Sequence, residues 1–319
     1  MCTASTFHTD CFYFGRNLDL EYSYNETVTV TPRNYPFDFR MCNKMNSHFA
    51  MVGMAFVEEG YPLYYEATNE KGLSMAGLHF PENAVYFPPV HGKDNVSPFE
   101  FIPWILGQCE NLEQARRLLK NINLVNIDFS EKLPLSPLHW IIADKSGAVT
   151  VESVADGLKI HENPVGTLTN NPTFDFHMKN LANYSNLTAD EPDSSFPPSF
   201  RSHGMGAFGM PGDYSSVSRF IKASFVRNNI VCGKNEGENI GQFFRILGSV
   251  EVPKGCVRFD GKMTETVYSC CCNTDKGIYY YKTSGNSRIS AIDMHKENLD
   301  GKKTVSYPLN DEQDIFPQN

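Results

Sequence analysis

Cys2 stands directly behind Met1, and no other feature constrains this chain as tightly. Removal of Met1, which a small second residue permits, leaves a residue carrying both a thiol and a free α-amino group. A free thiol has a pKa of about 8.5 and an α-amine about 7.7–8.0, so the amine can accept the thiol proton near neutral pH without a histidine. The plain alternative is a small residue that happens to follow the start. The residues further along the chain decide between the two.

The 319 residues suit one large domain or two ordinary ones. With 41% hydrophobic and 20% charged residues, a packed core is attainable and global disorder is not expected. The net charge of −9 argues against nucleic-acid partners and a polybasic membrane patch, though a few local arginines would still serve an anionic substrate. No signal-peptide pattern or apolar run of about 18 residues is present, so a cytoplasmic location is expected. The run Cys270-Cys271-Cys272 looks metal-like, but neighbours on a strand point to opposite faces and cannot close a tetrahedral site. It reads instead as a buried strand. No metal is expected.

Strands are predicted at Cys2 to Thr9 and Cys11 to Gly15, joined at Asp10 as a hairpin, and then at Thr27 to Thr31, Phe49 to Val57 and Leu73 to Leu78. Pro98 to Gln108 reads as a buried helix, and Asn111 caps a second over Leu112 to Leu119. Strands resume at Leu138 to Ala143 and Ala148 to Val154 across an Asp144-Lys145-Ser146-Gly147 turn. Helical spacing marks Phe174 to Tyr184, Ser215 or Ser216 to Arg227, and Ile240 to Leu247. The last strands are Thr266 to Cys272, Gly277 to Thr283 and Arg288 to Ile292. Strand groups flanking helix groups favour a single α+β layered domain.

Phe14-Gly15-Arg16-Asn17-Leu18-Asp19 returns beside Cys2 if the first two strands form a hairpin. Arg16 would then favour the thiolate, and Asp19 would hold the protonated α-amine by a charge-assisted hydrogen bond. A surface charge pair at a strand end remains the alternative on spacing alone.

These residues, with Met1-Cys2-Thr3-Ala4, resemble the choloylglycine hydrolase family of N-terminal-nucleophile amidases. Asn69-Glu70-Lys71-Gly72-Leu73, Leu138-His139-Trp140, Leu168 through Asp175, Gly212-Asp213, Ser218-Arg219-Phe220 and Met294 through Asp300 continue the resemblance in the same order. It implies a four-layer αββα sandwich over residues 1–319, with Cys2 at the end of a central strand. It further implies Cys2 as nucleophile, Arg16 and Asp19 as the residues that tune and orient it, Asn170 as an oxyanion-hole donor and Arg219 as a second arginine near the thiol. A tetrahedral oxyanion needs such preorganised donors.

His79, in Gly77-Leu78-His79-Phe80, departs from the pattern, since related bile salt hydrolases carry asparagine there and penicillin acylases tyrosine. The family's second oxyanion donor is a backbone N–H at this position, which a side-chain change leaves intact. By the same resemblance Leu18, Phe129, Leu133 and Leu138 contact the acyl group, with an ordinary core role as the alternative, above all for Leu138. His139 invites a Cys–His reading, but on a strand before Trp140 it reads as structural.

The resemblance therefore implies a cysteine amidohydrolase that cleaves glycine- or taurine-conjugated bile salts through a thioester, with no cofactor. Capture of that thioester by an amino acid would give an acyltransferase side activity. Penicillin V acylase activity is the alternative chemistry, and an inactive amphiphile-binding relative the alternative class. The Pro- and Gly-rich excursion at 186–213 resembles the segment through which relatives assemble, so a homotetramer is expected.

Overall fold

The computed structural model describes residues 1–192 and 202–319. In chain order its strands open with β1 (Cys2–His8), β2 (Phe12–Leu20), β3 (Thr27–Thr31), β4 (Met51–Glu58), β5 (Tyr61–Asn69), β6 (Ser74–His79) and β7 (Asp94–Val96). Helices α1 (Phe101–Gln108) and α2 (Leu112–Leu119) precede β8 (Ile122–Leu124), β9 (Leu138–Asp144), β10 (Gly147–Val154), β11 (Gly157–Glu162) and β12 (Thr167–Leu168). Next come α3 (Phe174–Leu181), α4 (Ser216–Asn229) and α5 (Glu236–Gly248). The chain closes with β13 (Val257–Phe259), β14 (Lys262–Asn273), β15 (Ile278–Thr283), β16 (Ser290–Asp293) and β17 (Val305–Pro308).

Two antiparallel sheets carry the fold. One runs β12-β1-β2-β14-β15-β16, with β13 paired onto β14, and the other runs β11-β10-β9-β6-β5-β4-β3-β17. Alternate residues of each strand face opposite sides, so each sheet contributes to two apolar layers. Phe12, Phe14, Leu18, Tyr268 and Cys270 meet Val52, Met54, Leu78 and Ile141 between the sheets. Met51, Met75, Trp140 and Ile142 turn outward onto Phe101, Ile105 and Leu112 of α1 and α2. Tyr13 and Cys271 turn the other way, onto Phe243 and Leu247 of α5. The result is an α+β sandwich of αββα layers.

The Cys270-Cys271-Cys272 run follows this alternation, its first and third thiols facing the inter-sheet core and its second facing α5. All nine cysteines are free. Neighbouring strands β2 and β14 come so close at Gly15 that a Cβ there would lie 1.9 Å from the Cys270 carbonyl oxygen, so only glycine admits this backbone approach.

Strand β2 runs on to Leu20, five residues past the predicted end, because β14 pairs with it along that stretch. Strand β5 has no counterpart in the sequence prediction. The 186–213 segment falls partly outside the described residues. Among those described, no helix is long and apolar enough to cross a membrane.

Candidate active site

The β1–β2 ladder sets Cys2 opposite Leu18 and Ala4 opposite Arg16, which puts all four side chains on the inter-sheet face. Cys2 is 2% exposed, Arg16 1% and Asp19 0%, which removes the surface-pair reading of Arg16 and Asp19. The two do not pair with each other. Arg16 Nε lies 3.8 Å from Glu66 Oε2, and Asp19 Oδ2 lies 3.8 Å from Arg219 Nη1.

Arg16 is held by backbone oxygens. Its Nη1 donates to Gly77 O at 2.6 Å and Tyr65 O at 3.3 Å, while its buried Nη2 has no partner. Burial disfavours the charge, yet the fields of Cys2, Tyr268, Glu66 and Cys270 outweigh it and raise the Arg16 pKa.

Arg219 lies in the first turn of α4, whose Ser215 cap accepts the Ser218 N–H at 3.3 Å. Its guanidinium donates to Cys2 O, to Thr3 Oγ1 at 2.6 Å and to Asn170 Oδ1 at 2.8 Å. Burial lowers its pKa, against the opposing fields of Asp19 and Cys2. Two guanidinium groups therefore flank the thiol residue.

Asn170 follows β12, the strand that borders β1. Its Oδ1 accepts the Cys2 N–H at 2.7 Å, and its Nδ2 donates to His79 O at 2.6 Å. Ser216 Oγ accepts its backbone N–H at 2.8 Å, and His177 Nε2 donates to its carbonyl at 2.9 Å. Opposite it, the Phe80 N–H donates to Pro137 O at 2.7 Å. Alternation of the antiparallel ladder then turns the His79 N–H and C=O to the other edge, towards Asn170. The His79 ring reaches solvent, yet protein atoms crowd enough of it that desolvation lowers its pKa. The N-terminal ammonium and His139 push the same way, and Glu21 opposes.

Met1 is tied in place through Asp19. Its ammonium donates to Asp19 O at 2.6 Å, and the Asp19 N–H donates to Met1 O at 3.0 Å. Asp19 Oδ1 accepts from Thr266 Oγ1 at 2.6 Å, leaving the buried Oδ2 without a hydrogen-bond partner. His139 directs Nε2 to Thr169 O at 2.8 Å and Nδ1 to Glu152 Oε1 at 3.1 Å, and stacks on Phe80. Both ring nitrogens are engaged away from Cys2, so His139 braces the loop before Asn170.

The family model described as linear amide C–N hydrolases, choloylglycine hydrolase family, matches residues 2–307. The chain belongs to the choloylglycine hydrolase family. It is 49% identical to the bile salt hydrolase/transferase of Lactiplantibacillus plantarum, over 100% of both chains. It is 37% identical to the bile salt hydrolase/transferase of Clostridium perfringens, over 97% of each. The crystal structure of the C2A mutant of a conjugated bile acid hydrolase from Clostridium perfringens superposes with a TM-score of 0.92 at 36% identity, over 100% of both chains. A penicillin V acylase from Agrobacterium tumefaciens shares the fold, with a TM-score of 0.77 at 20% identity over 98% of this chain and 94% of that one.

Of the positions that the choloylglycine hydrolase resemblance implied, the structure gathers Cys2, Arg16, Leu18, Asp19, Asn170, Arg219 and the His79 backbone. Three others take their contacts elsewhere. Phe129 packs on Tyr61 and Phe99 beneath the Arg40 guanidinium. Leu133 is half-buried in the turn it closes with Ser130. Leu138 stands opposite His79 and packs with the helix-facing cluster.

No site role for Thr3, Thr266, Ser216, His177 or Glu66 is readable in the sequence. Ser216 was recognised only as a possible cap. A carboxylate inside an apolar stretch was the one available signal for Glu66, and nothing local marks Thr3 or Thr266.

Proposed function

We infer that this choloylglycine hydrolase is a bile salt hydrolase, cleaving the amide between a steroid side chain and glycine or taurine. One arrangement carries the reading: a buried cysteine whose nitrogen is fixed by Asn170, between two guanidinium groups, with the Asp19 carboxylate nearby keeping one oxygen free of hydrogen bonds. The names of the full-length relatives support the substrate class.

Removal of Met1 turns the Cys2 amide nitrogen into an α-amine. The Asn170 and Asp19 side-chain oxygens are then the acceptors for its protonated form. The amine takes the thiol proton, and the sulfur attacks the amide carbonyl. Asn170 Nδ2 has a second N–H beyond the one donated to His79 O, and with the His79 N–H it supplies donors for the oxyanion. The α-ammonium protonates the leaving amino acid, and water then hydrolyses the thioester. An amino acid in place of water gives the transferase reaction from the same intermediate.

Arg16 and Arg219 favour the thiolate, while Leu18, Phe129, Leu133 and Leu138 are proposed to contact the steroid. A buried steroid face would contribute about 25 cal/mol per Å2 of apolar area. The 186–213 segment, with exposed Met205 and Phe208, is proposed to join four copies. Sedimentation at the mass of one chain would contradict that.

Turnover of taurocholate, glycocholate and penicillin V tests the substrate class. Release of taurine or glycine well above penicillin V cleavage supports the reading. Preferential cleavage of penicillin V would replace it with acylase activity, and binding of all three without turnover would make the protein an amphiphile-binding relative.

A further inference from the structure

Glu66 is a carboxylate buried between the two sheets. It projects from β5 into the inter-sheet layer at 2% exposure. Tyr268 Oη donates to its Oε2 at 2.7 Å and Tyr279 Oη to its Oε1 at 2.6 Å. Arg16 Nε lies 3.8 Å from Oε2. Both oxygens thus face hydroxyl donors and a cation, an arrangement that suits the ionised form. A carboxylate so deep is tolerated only when paired and hydrogen-bonded, so its presence calls for a reason beyond packing.

We propose that Glu66 is a positioning residue for the nucleophile: its carboxylate partly neutralises the Arg16 guanidinium and so sets how strongly Arg16 favours the Cys2 thiolate. The inference rests on the reading of Cys2 as nucleophile. Arg16 stands between the two groups. Nη1 of its guanidinium is spent on Gly77 O and Tyr65 O, Nε donates to Asn17 O at 3.3 Å while lying 3.8 Å from Glu66, and Nη2 is left without a partner on the face it shares with Cys2. Without Glu66, the full charge of Arg16 would act on the sulfur. With it, the thiolate is held at intermediate stability, basic enough to attack yet a weak enough base to leave later from the thioester.

The titratable surroundings are few. Around Glu66 they are Arg16 from β2, its own neighbour Tyr65 on β5, Tyr268, Cys270 and Cys272 from β14, and Tyr279 from β15. The residues that flank it on β4 and β6 are Met54 and Ala76, which carry no charge. Around Cys2 stand Arg16 and Arg219, with Asp19 against Arg219. Burial raises the Glu66 pKa, and Arg16, Tyr279, Tyr268 and Cys270 oppose that rise without cancelling it. No other acidic side chain pairs with Arg16 among the described residues.

The test is the pH dependence of Cys2 alkylation by iodoacetamide in the Met1-free enzyme, read by peptide mass spectrometry. Glu66→Gln keeps the shape and removes the charge. The expected result is a midpoint lower by about one pH unit, seen as a roughly tenfold faster alkylation below the wild-type midpoint. The acid limb of kcat/KM should move with it. In an Arg16→Gln background, Glu66→Gln should add no further shift. An unmoved midpoint in a folded Glu66→Gln enzyme, or an equal shift without Arg16, overturns the proposal. If Glu66→Gln does not fold, Tyr279→Phe removes one donor from the carboxylate, and a midpoint shift in the same direction is then expected; no shift overturns the proposal. Wild-type enzyme that turns substrate over with Cys2 unreactive would instead refute the nucleophile assignment itself.

Discussion

The Asn170 side-chain oxygen accepts the Cys2 backbone N–H at 2.7 Å, across 168 residues of sequence. The same amide donates from its nitrogen to His79 O at 2.6 Å, so one side chain joins the start of β1 to the end of β6. Asn170→Ala should lower kcat by about 10²–10³, the usual loss for one oxyanion donor, with far less effect on KM. Steady-state kinetics on taurocholate check this, and a loss confined to KM would assign Asn170 to ground-state binding.

Arg219 is 1% exposed and contacts Cys2, Thr3 and Asn170 at once. Arg219→Met should destabilise the fold by about 3–5 kcal/mol, because Asp19 loses its buried cation. Urea unfolding measures it. A cost under about 1 kcal/mol would mean that Asp19 is neutralised by another group.

Acid should loosen the Asn170 loop before it unfolds the sheets. Burial lowers the His177 pKa to about 4, against an ordinary 6.5. A lowered histidine stabilises the fold fully above 6.5, and that contribution is lost as pH falls towards about 4. Glu152, held at about 2 despite burial by hydrogen bonds from His139 and the Phe174 N–H and by His161 at 3.6 Å, adds stability that is lost only below its ordinary 4.5. The His177 contribution alone should remove about 2 kcal/mol between pH 7.5 and 5. His177→Gln keeps a donor for Asn170 O without titrating, so its urea midpoint should vary less over that range. Equal variation in both proteins would contradict the assignment.

The sequence read best where local chemistry decides structure. Asp10 breaks two apolar runs into the β1–β2 hairpin, and Asn111 caps α2 by accepting the Gln114 N–H at 3.0 Å. Strand β5 was invisible because Pro62 and Glu66 interrupt its pattern, and Glu66 is satisfied by Tyr268 and Tyr279, more than 200 residues away. Helix α5 begins at Glu236 rather than Ile240, since the Asn235 cap precedes a polar turn that reads as loop. The site was legible as positions and not as partners. Arg16 and Asp19 were recognised together, yet each is paired with a residue from a distant element, Glu66 and Arg219.

The central claim is that the mature chain attacks substrate with the Cys2 sulfur, using its own terminal nitrogen as base. Intact-mass spectrometry of enzyme quenched in acid during taurocholate turnover tests it most directly. The account predicts a chain lacking Met1 that carries one cholyl group on Cys2, and no adduct or product from Cys2→Ala. Sustained hydrolysis by Cys2→Ala, or full activity in a chain that still bears Met1, would contradict it.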